Sequence, residues 1–331
     1  MPVVLANCLA DRHPEPASAE TYAVSRLHIA AARPSVGAEC RENFTYDDQV
    51  EISRANDFDA AAVNAMIAGT QFAGAVHHLA SVGSTNEVAI AAAQQGARAG
   101  VWVADEQTAG RGRGGHRWHS AVGDGLYLSV LMRPALAGVD VLKLSLAAGL
   151  AARSALLASG FLRAERMDLR WPNDLMLWGE DGVERKFGGI LTECAIEAGT
   201  GALAYAVIGI GMNLNHMQMP EELRAEATSV RMEGLGEVAR GPLVGALLHA
   251  LKEEVDAVER EAHAPACHPS SLALRFAGAS TWVSGLAVQV AEDDGYTGVT
   301  AGLDTHGLLR VRLEDGSERT VRHGGVRRLA G

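Results

Sequence analysis

The most constraining stretch of the chain lies between two apolar runs, Val101–Ala104 and Leu126–Met132. It reads Glu106-Gln107-Thr108-Ala109-Gly110-Arg111-Gly112-Arg113-Gly114-Gly115-His116-Arg117-Trp118. Four glycines and three arginines cannot continue a helix or a central strand, because glycine weakens both. The runs on either side are therefore expected to be buried strands that end in an exposed loop. Glycine lets the backbone approach a ligand closely, so successive N–H groups can form an anion nest. The arginines add planar forks suited to carboxylate and phosphate. Such a loop fits a polyanion that carries a carboxyl group. A solvated Gly/Arg linker is the competing reading, and the spacing G-x-G-x-G-G does not match a dinucleotide fingerprint.

Around this loop the hydrophobic pattern alternates helices and strands. Ala60–Ala68 reads as a short helix stopped by Gly69, and Val76–Leu79 as a strand. Ser84-Thr85-Asn86 opens an Ala-rich helix running to Gly96, where a Ser or Thr N-cap would leave backbone N–H groups facing a ligand. Leu142–Ser159 has helical spacing and ends at Gly160. Leu169–Trp171 and Leu175–Trp178 flank a Pro-Asn-Asp turn, Gly188–Ile196 and Leu203–Ile210 read as paired strands, and residues 243–260 as a helix. After Pro265–Pro269 the pattern changes to short strands at Val283–Val290, Thr297–Ala301, Leu308–Leu313 and Arg319–Val321. Asp294-Gly295, His306-Gly307 and Asp315-Gly316 supply the turns, as in a small closed barrel. Three segments result: an extension over residues 1–55 without sustained period, a mixed α/β domain over 56–268, and a β domain over 272–331.

Charge and composition exclude several classes. The 331 residues carry 29 Lys plus Arg against 40 Asp plus Glu, a net charge of −11. Neutralising phosphates needs a basic surplus, so general nucleic-acid binding, DNA included, is not expected. No uninterrupted apolar run reaches the roughly 18–20 residues of a membrane span, and the start lacks the basic region of a signal peptide. Cys8, Cys40, Cys194 and Cys267 show no CxxC spacing, which argues against a zinc site or a disulfide framework and for reduced thiols in the cytoplasm. Only Lys143, Lys186 and Lys252 are lysines; the other 26 basic residues are arginine. Codon bias is the simplest cause, but it makes each lysine informative.

Three further motifs stand at the ends of apolar runs. Arg170-Trp171-Pro172-Asn173-Asp174 is a turn whose Asn and Asp could point to one place, holding a metal or a ribose or adenine edge; a plain β-turn explains it equally well. Lys186-Phe187-Gly188-Gly189-Ile190-Leu191-Thr192-Glu193 sets an ammonium beside open backbone, where a compact positive charge suits a developing pentacoordinate phosphate. Gly209-Ile210-Gly211-Met212-Asn213-Leu214-Asn215 places glycines in a strand, which marks close approach of a ligand or of another backbone.

Taken in order, STN, GRGRGG, RWPND, KFGGIL-E and GIGMNLN resemble the biotin–protein ligases, also called biotin–[acetyl-CoA-carboxylase] ligases, from about residue 58 to the C-terminus. The resemblance implies an α+β fold, a mixed-sheet catalytic biotin/ATP-binding domain over 56–268 followed by a small SH3-like barrel. It implies activation of biotin with ATP, accompanied by Mg2+, to biotinyl-5′-AMP, then transfer to a lysine of a biotin carboxyl carrier domain. Ser84, Thr85 and Asn86 would line the biotin pocket, Thr and Asn reaching the ureido group. Gln107, Arg111, Gly112 and Arg113 would meet biotin and close over the adenylate, with Arg111 and Arg113 catalytic. Lys186 matches the family's active-site lysine, between the biotin carboxylate and the α-phosphate. Gly189 and Gly211 would bring backbone close to the ligand, and Asn213 belongs to the same binding set. Trp118 would serve as an adenine platform and Asp174 as a magnesium or adenylate partner. A homodimer is compatible with the family.

The chain departs from the family pattern at Gly114 and His116, which stand where basic residues are usual, and at Arg170, which replaces a lysine. A lipoate ligase shares the implied fold but has a different glycine-rich signature. A biotin-sensing repressor would need a basic helix-turn-helix in the acidic residues 1–55, and a non-catalytic binding protein would not need Lys186, Arg111 and Arg113. Because a released acyl-adenylate acylates exposed amines, scarcity of lysine is expected to limit self-biotinylation.

Overall fold

In the computed structural model, residues 58–160, 162–264, 270–322 and 325–329 are described, so the expected extension over 1–55 lies outside the described residues. Helix α1 (Ala60–Met66) starts at Asp59, whose carboxylate accepts the N–H groups of Ala61 and Ala62 at 2.8 and 3.1 Å. A seven-stranded sheet follows, built from β1 (Val76–Leu79), β2 (Gly100–Ala104), β3 (Gly125–Met132), β4 (Met167–Arg170), β5 (Asp174–Trp178), β6 (Glu184–Ile196) and β7 (Leu203–Asn213). Their order is β1-β2-β3-β7-β6-β5-β4; β1 and β2 are parallel and every other pair is antiparallel.

Both faces of this sheet are covered, which is why β2 and β3 read as unbroken apolar runs rather than as alternating ones. On one face α2 (Thr85–Gln94) sets Ala89 and Ala93 against Trp102, Leu131 and Val207. On the other, α3 (Val141–Ala158) and α4 (Arg240–Ala262) complete the main core with Val101, Val103, Leu128, Val130, Ile208 and Ile210. Gly138–Ala158 is long and apolar enough to cross a membrane by composition, yet 67% of it is buried inside the fold. Its all-round hydrophobicity reflects a core helix.

After α4 the chain forms α5 (Ser271–Gly278), whose N-cap Ser270 accepts the N–H of Ala273 at 3.1 Å. The strand-and-turn reading did not foresee this helix, which is only eight residues long. Strands β8 (Ser284–Val290), β9 (Tyr296–Leu303), β10 (Leu309–Arg312), β11 (Glu318–Val321) and β12 (Val326–Arg328) make a five-stranded antiparallel sheet in the order β11-β10-β9-β8-β12. The arrangement is compatible with the SH3-like barrel implied above, with β11 and β12 as its end strands. The architecture is mixed α+β, as expected. Two strands run further than their apolar runs suggest: β6 starts at Glu184 and so contains Lys186, and β7 continues to Asn213.

Candidate active site

The site lies on the α2 face of the sheet, and strand alternation decides which residues reach it. In β6 and β7, Gly189 is opposite Gly211 and Leu191 opposite Gly209. Ile190, Ile208 and Ile210 point into the core beneath α3. The alternate positions Gly189, Leu191, Glu193, Gly209 and Gly211 lie under α2 and the arginine-rich loop. A Cβ at Gly209 would stand 2.3 Å from Asn86 Oδ1, and one at Gly211 would stand 2.7 Å from the Trp118 ring. Glycine at both is therefore a requirement of close approach.

Ser84, Thr85 and Asn86 are all buried at the start of α2. The Ser84 hydroxyl makes no capping bond; Gln107 caps instead, its Oε1 accepting Thr85 N–H at 2.9 Å and lying 3.1 Å from Thr85 Oγ1. The expected N-terminal N–H is thus occupied by a side chain from the loop. Asn86 Nδ2 donates to Glu193 Oε2 at 2.8 Å and to the Leu191 carbonyl at 3.2 Å. Ser129 Oγ lies 2.5 Å from Asn86 Oδ1 and 2.7 Å from Thr85 Oγ1. With so many partners these polar groups are held in fixed orientations, which recognition by hydrogen bonding needs.

The Gly/Arg loop folds back on itself. Gly112 N–H donates to the His116 carbonyl at 2.7 Å and Trp118 N–H to the Gly110 carbonyl at 2.9 Å. Only Gly114 (φ 64°) and Gly115 (φ 79°), at its tip, have positive φ. The Gly112 amide thus turns into the loop, while Arg111 and Arg113 line the cleft. Arg111 Nη2 lies 3.1 Å from Glu193 Oε2, with its Nε 3.7 Å from Glu87. Arg113 Nη1 donates to Asn173 Oδ1 at 3.0 Å. Burial lowers the Arg113 pKa from its usual value, against the opposing pull of Asp174.

Lys186 Nζ stands 2.6 Å from Asp174 Oδ1 and 5.6 Å from the centre of the Trp118 ring. Arg170 takes the other carboxylate oxygen, its Nη2 and Nε at 2.5 and 3.0 Å from Oδ2. Burial works to raise the Asp174 pKa, but Lys186 and Arg170 together hold it below the usual carboxylate range. Both oxygens of the expected metal partner are thus engaged by cations. Among the described residues no cluster of three or more His, Cys, Asp and Glu could hold a metal ion. Asp174 is here the centre of an ion-pair cluster with Lys186 and Arg170.

Gly189 and Gly211 form a flat shelf on which the Trp118 indole rests, so the group that approaches their backbone is a side chain of the loop. Trp118 Nε1 is buried without a hydrogen-bond partner. Ser84, Thr85, Asn86, Gln107, Arg111, Gly112, Arg113, Trp118, Lys186, Gly189 and Gly211 all line one cleft of about 470 Å3. Asn213 is not among the lining residues. It is buried at the end of β7, Nδ2 donating to the Thr228 carbonyl at 3.1 Å and Oδ1 without a partner. Sequence reasoning overlooked Ser129 and the role of Glu193. The one serine inside the apolar run GLYLSVLM signals the first, and the alternation Gly189, Leu191, Glu193 signals the second.

Residues 80–213 match the biotin/lipoate A/B protein ligase family. The chain is similar to the bifunctional ligase/repressor BirA of Bacillus spizizenii, 33% identical over 170 residues, covering 50% of this chain and 49% of the relative. It is also similar to the biotin–[acetyl-CoA-carboxylase] ligase of Mycobacterium tuberculosis, 34% identical over 180 residues, covering 54% and 62%. The matched part thus spans less than two thirds of either relative. In structure it is similar to the Aquifex aeolicus biotin protein ligase solved in complex with biotin and ATP, with a TM-score of 0.59 and 25% identity over 77% of this chain and 100% of that one. The cleft-lining residues, from Ser84 to Gly211, all fall inside the segment that matches the biotin/lipoate A/B protein ligase family.

Proposed function

We propose that the chain is a biotin–protein ligase that forms biotinyl-5′-AMP from biotin and ATP and then transfers biotin to a lysine of a biotin carboxyl carrier domain. The observation that carries this reading is the pairing, in one cleft, of a fixed neutral polar cluster with a fixed cation cluster. Ser129, Glu193 and Gln107 orient Thr85 and Asn86 at one end, where a ureido group would be recognised. Arg111, Arg113 and Lys186 stand at the other, where a carboxylate must meet an α-phosphate.

Attack of a carboxylate on a phosphate brings two anions together, and cations aimed at the meeting point lower that barrier. Lys186, held by Asp174, supplies a compact charge to the α-phosphate as the carboxylate oxygen bonds to it and pyrophosphate leaves. Arg111 and Arg113 hold the phosphate and carboxylate oxygens. The mixed anhydride is vulnerable to water, and the arginine loop with Trp118 covers it. Magnesium would enter on the phosphates of ATP; Asp174 is already neutralised, and no step is assigned to a protein-bound metal. Asn213 Oδ1, buried and unpaired, would serve the adenylate from below once the cleft opens toward it. The catalytic unit would span 56–268 and the barrel 272–331. The mixture of ATP chemistry and reduced thiols fits a soluble cytoplasmic enzyme, active as a monomer or a homodimer, with neither DNA nor membrane as a partner.

Biotin-dependent ATP–pyrophosphate exchange, followed by transfer to a carrier domain, tests the reading. Exchange should need biotin and be lost in Lys186→Ala. Exchange with lipoate and not biotin would make the chain a lipoate ligase, and normal turnover of the alanine variant would remove Lys186 from catalysis.

A further inference from the structure

Arg170 has one side on the active-site carboxylate and the other on Trp282, just before β8. Its guanidinium carbon lies 5.3 Å from the centre of the Trp282 ring, a cation–π distance. The indole itself is fixed: Nε1 donates to Glu184 at 3.1 and 3.2 Å, and Arg328 on β12 lies 5.1 Å from the ring centre. Trp282 is buried, so its ring has little freedom to turn.

The segment that carries it is stitched along β4. Leu169 N–H donates to the Ala279 carbonyl at 3.2 Å, and Ser280 Oγ donates to the Leu169 carbonyl at 2.5 Å. Thr281 donates twice to Asp168, through its N–H at 2.9 Å and through its hydroxyl. A second tie runs from Trp171 Nε1 to the Gly307 carbonyl at 2.9 Å, in the turn before β10. The RWPND turn is thus clamped by the C-terminal region immediately before and after Arg170.

We propose that Trp282 and Arg170 are positioning residues for Lys186: the Trp282 face holds Arg170, Arg170 holds Asp174 Oδ2, and the orientation so imposed leaves Asp174 Oδ1 facing the Lys186 ammonium. The proposal deepens the ligase reading of the cleft and rests on it for its kinetic consequence. A long, half-exposed arginine alone would sample many rotamers, and the carboxylate it binds would turn with it. Stacking on a fixed indole removes that freedom before substrates arrive. The segment leading into β8 would then contribute to adenylation without touching a substrate.

Two pairs of variants test this, Trp282→Leu with Trp282→Phe and Arg170→Met with Arg170→Lys. The chain holds only three lysines, so lysine-selective 15N labelling gives at most three ammonium signals and reads Lys186 without any activity. Trp282→Leu and Arg170→Met should lower kcat of biotin-dependent pyrophosphate exchange about tenfold while KM for biotin stays within about twofold. Both should move the Lys186 signal and leave those of Lys143 and Lys252 in place. Trp282→Phe, which keeps a π face, and Arg170→Lys, which keeps a cation, should recover most of the loss. Wild-type kcat and an unmoved Lys186 signal in Arg170→Met and Trp282→Leu would overturn the proposal. So would a Trp282→Phe as impaired as Trp282→Leu, since packing or the bond to Glu184 would then be all that matters. A wild-type protein without exchange activity would instead defeat the ligase reading, and the ammonium signals would still decide whether the relay exists.

Discussion

Adding one methyl group at Gly209 should disable recognition at the polar end of the cleft while leaving the cation cluster intact. The new Cβ of Gly209→Ala would stand 2.3 Å from Asn86 Oδ1, 2.9 Å from its Cγ and 3.0 Å from its Nδ2. Ordinary contact distances require Asn86 to retreat by about 1 Å. The residue is buried and cannot retreat without stretching its bonds to Glu193 at 2.8 Å, to Leu191 at 3.2 Å and from Ser129 at 2.5 Å. A buried polar group left unsatisfied costs about 1–3 kcal/mol. Biotin affinity should therefore weaken about 10- to 100-fold, or about 1.4–2.8 kcal/mol. Gly211→Ala is the control: its Cβ meets the Trp118 ring at 2.7 Å, and a loop side chain can swing away. Its effect should be smaller and should vanish in a Gly211→Ala/Trp118→Ala background. Calorimetric titration of biotin, with thermal unfolding in parallel, reads both. A Gly209→Ala protein with wild-type affinity and melting temperature would refute the claim that a fixed Asn86 is the recognition element.

Other outcomes follow from the same geometry. Glu193→Ala removes the carboxylate shared by Arg111 and Asn86, so trypsin should cleave after Arg111 and Arg113 several-fold faster than in wild type; an unchanged rate would mean that the loop is not held there. Burial lowers the His216 pKa from 6.5 to about 4, opposed by Asp124 and reinforced by His119. The unfolded chain then takes up the proton first, so stability is fully present above about pH 6.5 and is lost as pH falls toward 4, by about 3 kcal/mol in all. His216→Leu should flatten that loss in urea unfolding at pH 7 and pH 5, and an unaltered slope would place the acid sensitivity elsewhere. Lys143 is buried beside Asp140 at 3.0 Å, and Lys252 is paired with Asp256. Incubation with biotin and ATP without an acceptor should thus leave Lys143 unlabelled, whereas Arg312→Lys, at an exposed position, should gain a label detectable by mass spectrometry. Equal labelling of both proteins would leave codon bias as the whole reason for scarce lysine.

The sequence was most readable where a single physical cause acts over a short range. Ala60–Ala68, Val101–Ala104 and Leu126–Met132 were bounded to within about two residues because hydrophobic period and flanking glycine agree. Lys186, Arg111 and Gly211 stood out through residue types that few other roles require, and all three line the cleft. What stayed hidden depends on partners distant in the chain. Glu193 looks like an ordinary strand glutamate until β6 alternation sets it beside Asn86, 107 residues earlier. The inward amide of Gly112 could not be inferred from four glycines, since its bond to His116 depends on where the loop reverses. Asp174 illustrates the limit of motif chemistry: a carboxylate after Pro-Asn suggests a metal ligand, and only the cross-strand arrival of Lys186 and Arg170 shows it neutralised.

Charge pairing in the cleft also bears on a protein with a net charge of −11, which should repel ATP as a whole. Arg111 is matched by Glu193 and Glu87, and Lys186 and Arg170 by Asp174, so the ligand-free cations are held in place and locally compensated. On the ligase reading, incoming phosphates would compete with these carboxylates for the same donors. Ground-state binding would thereby be kept modest, while charge that develops during adenylyl transfer would meet cations already in position. Replacing Glu193 with Gln should then tighten ATP and lower kcat together. Tighter ATP with unchanged kcat would mean that the carboxylate opposes binding without organising the transition state.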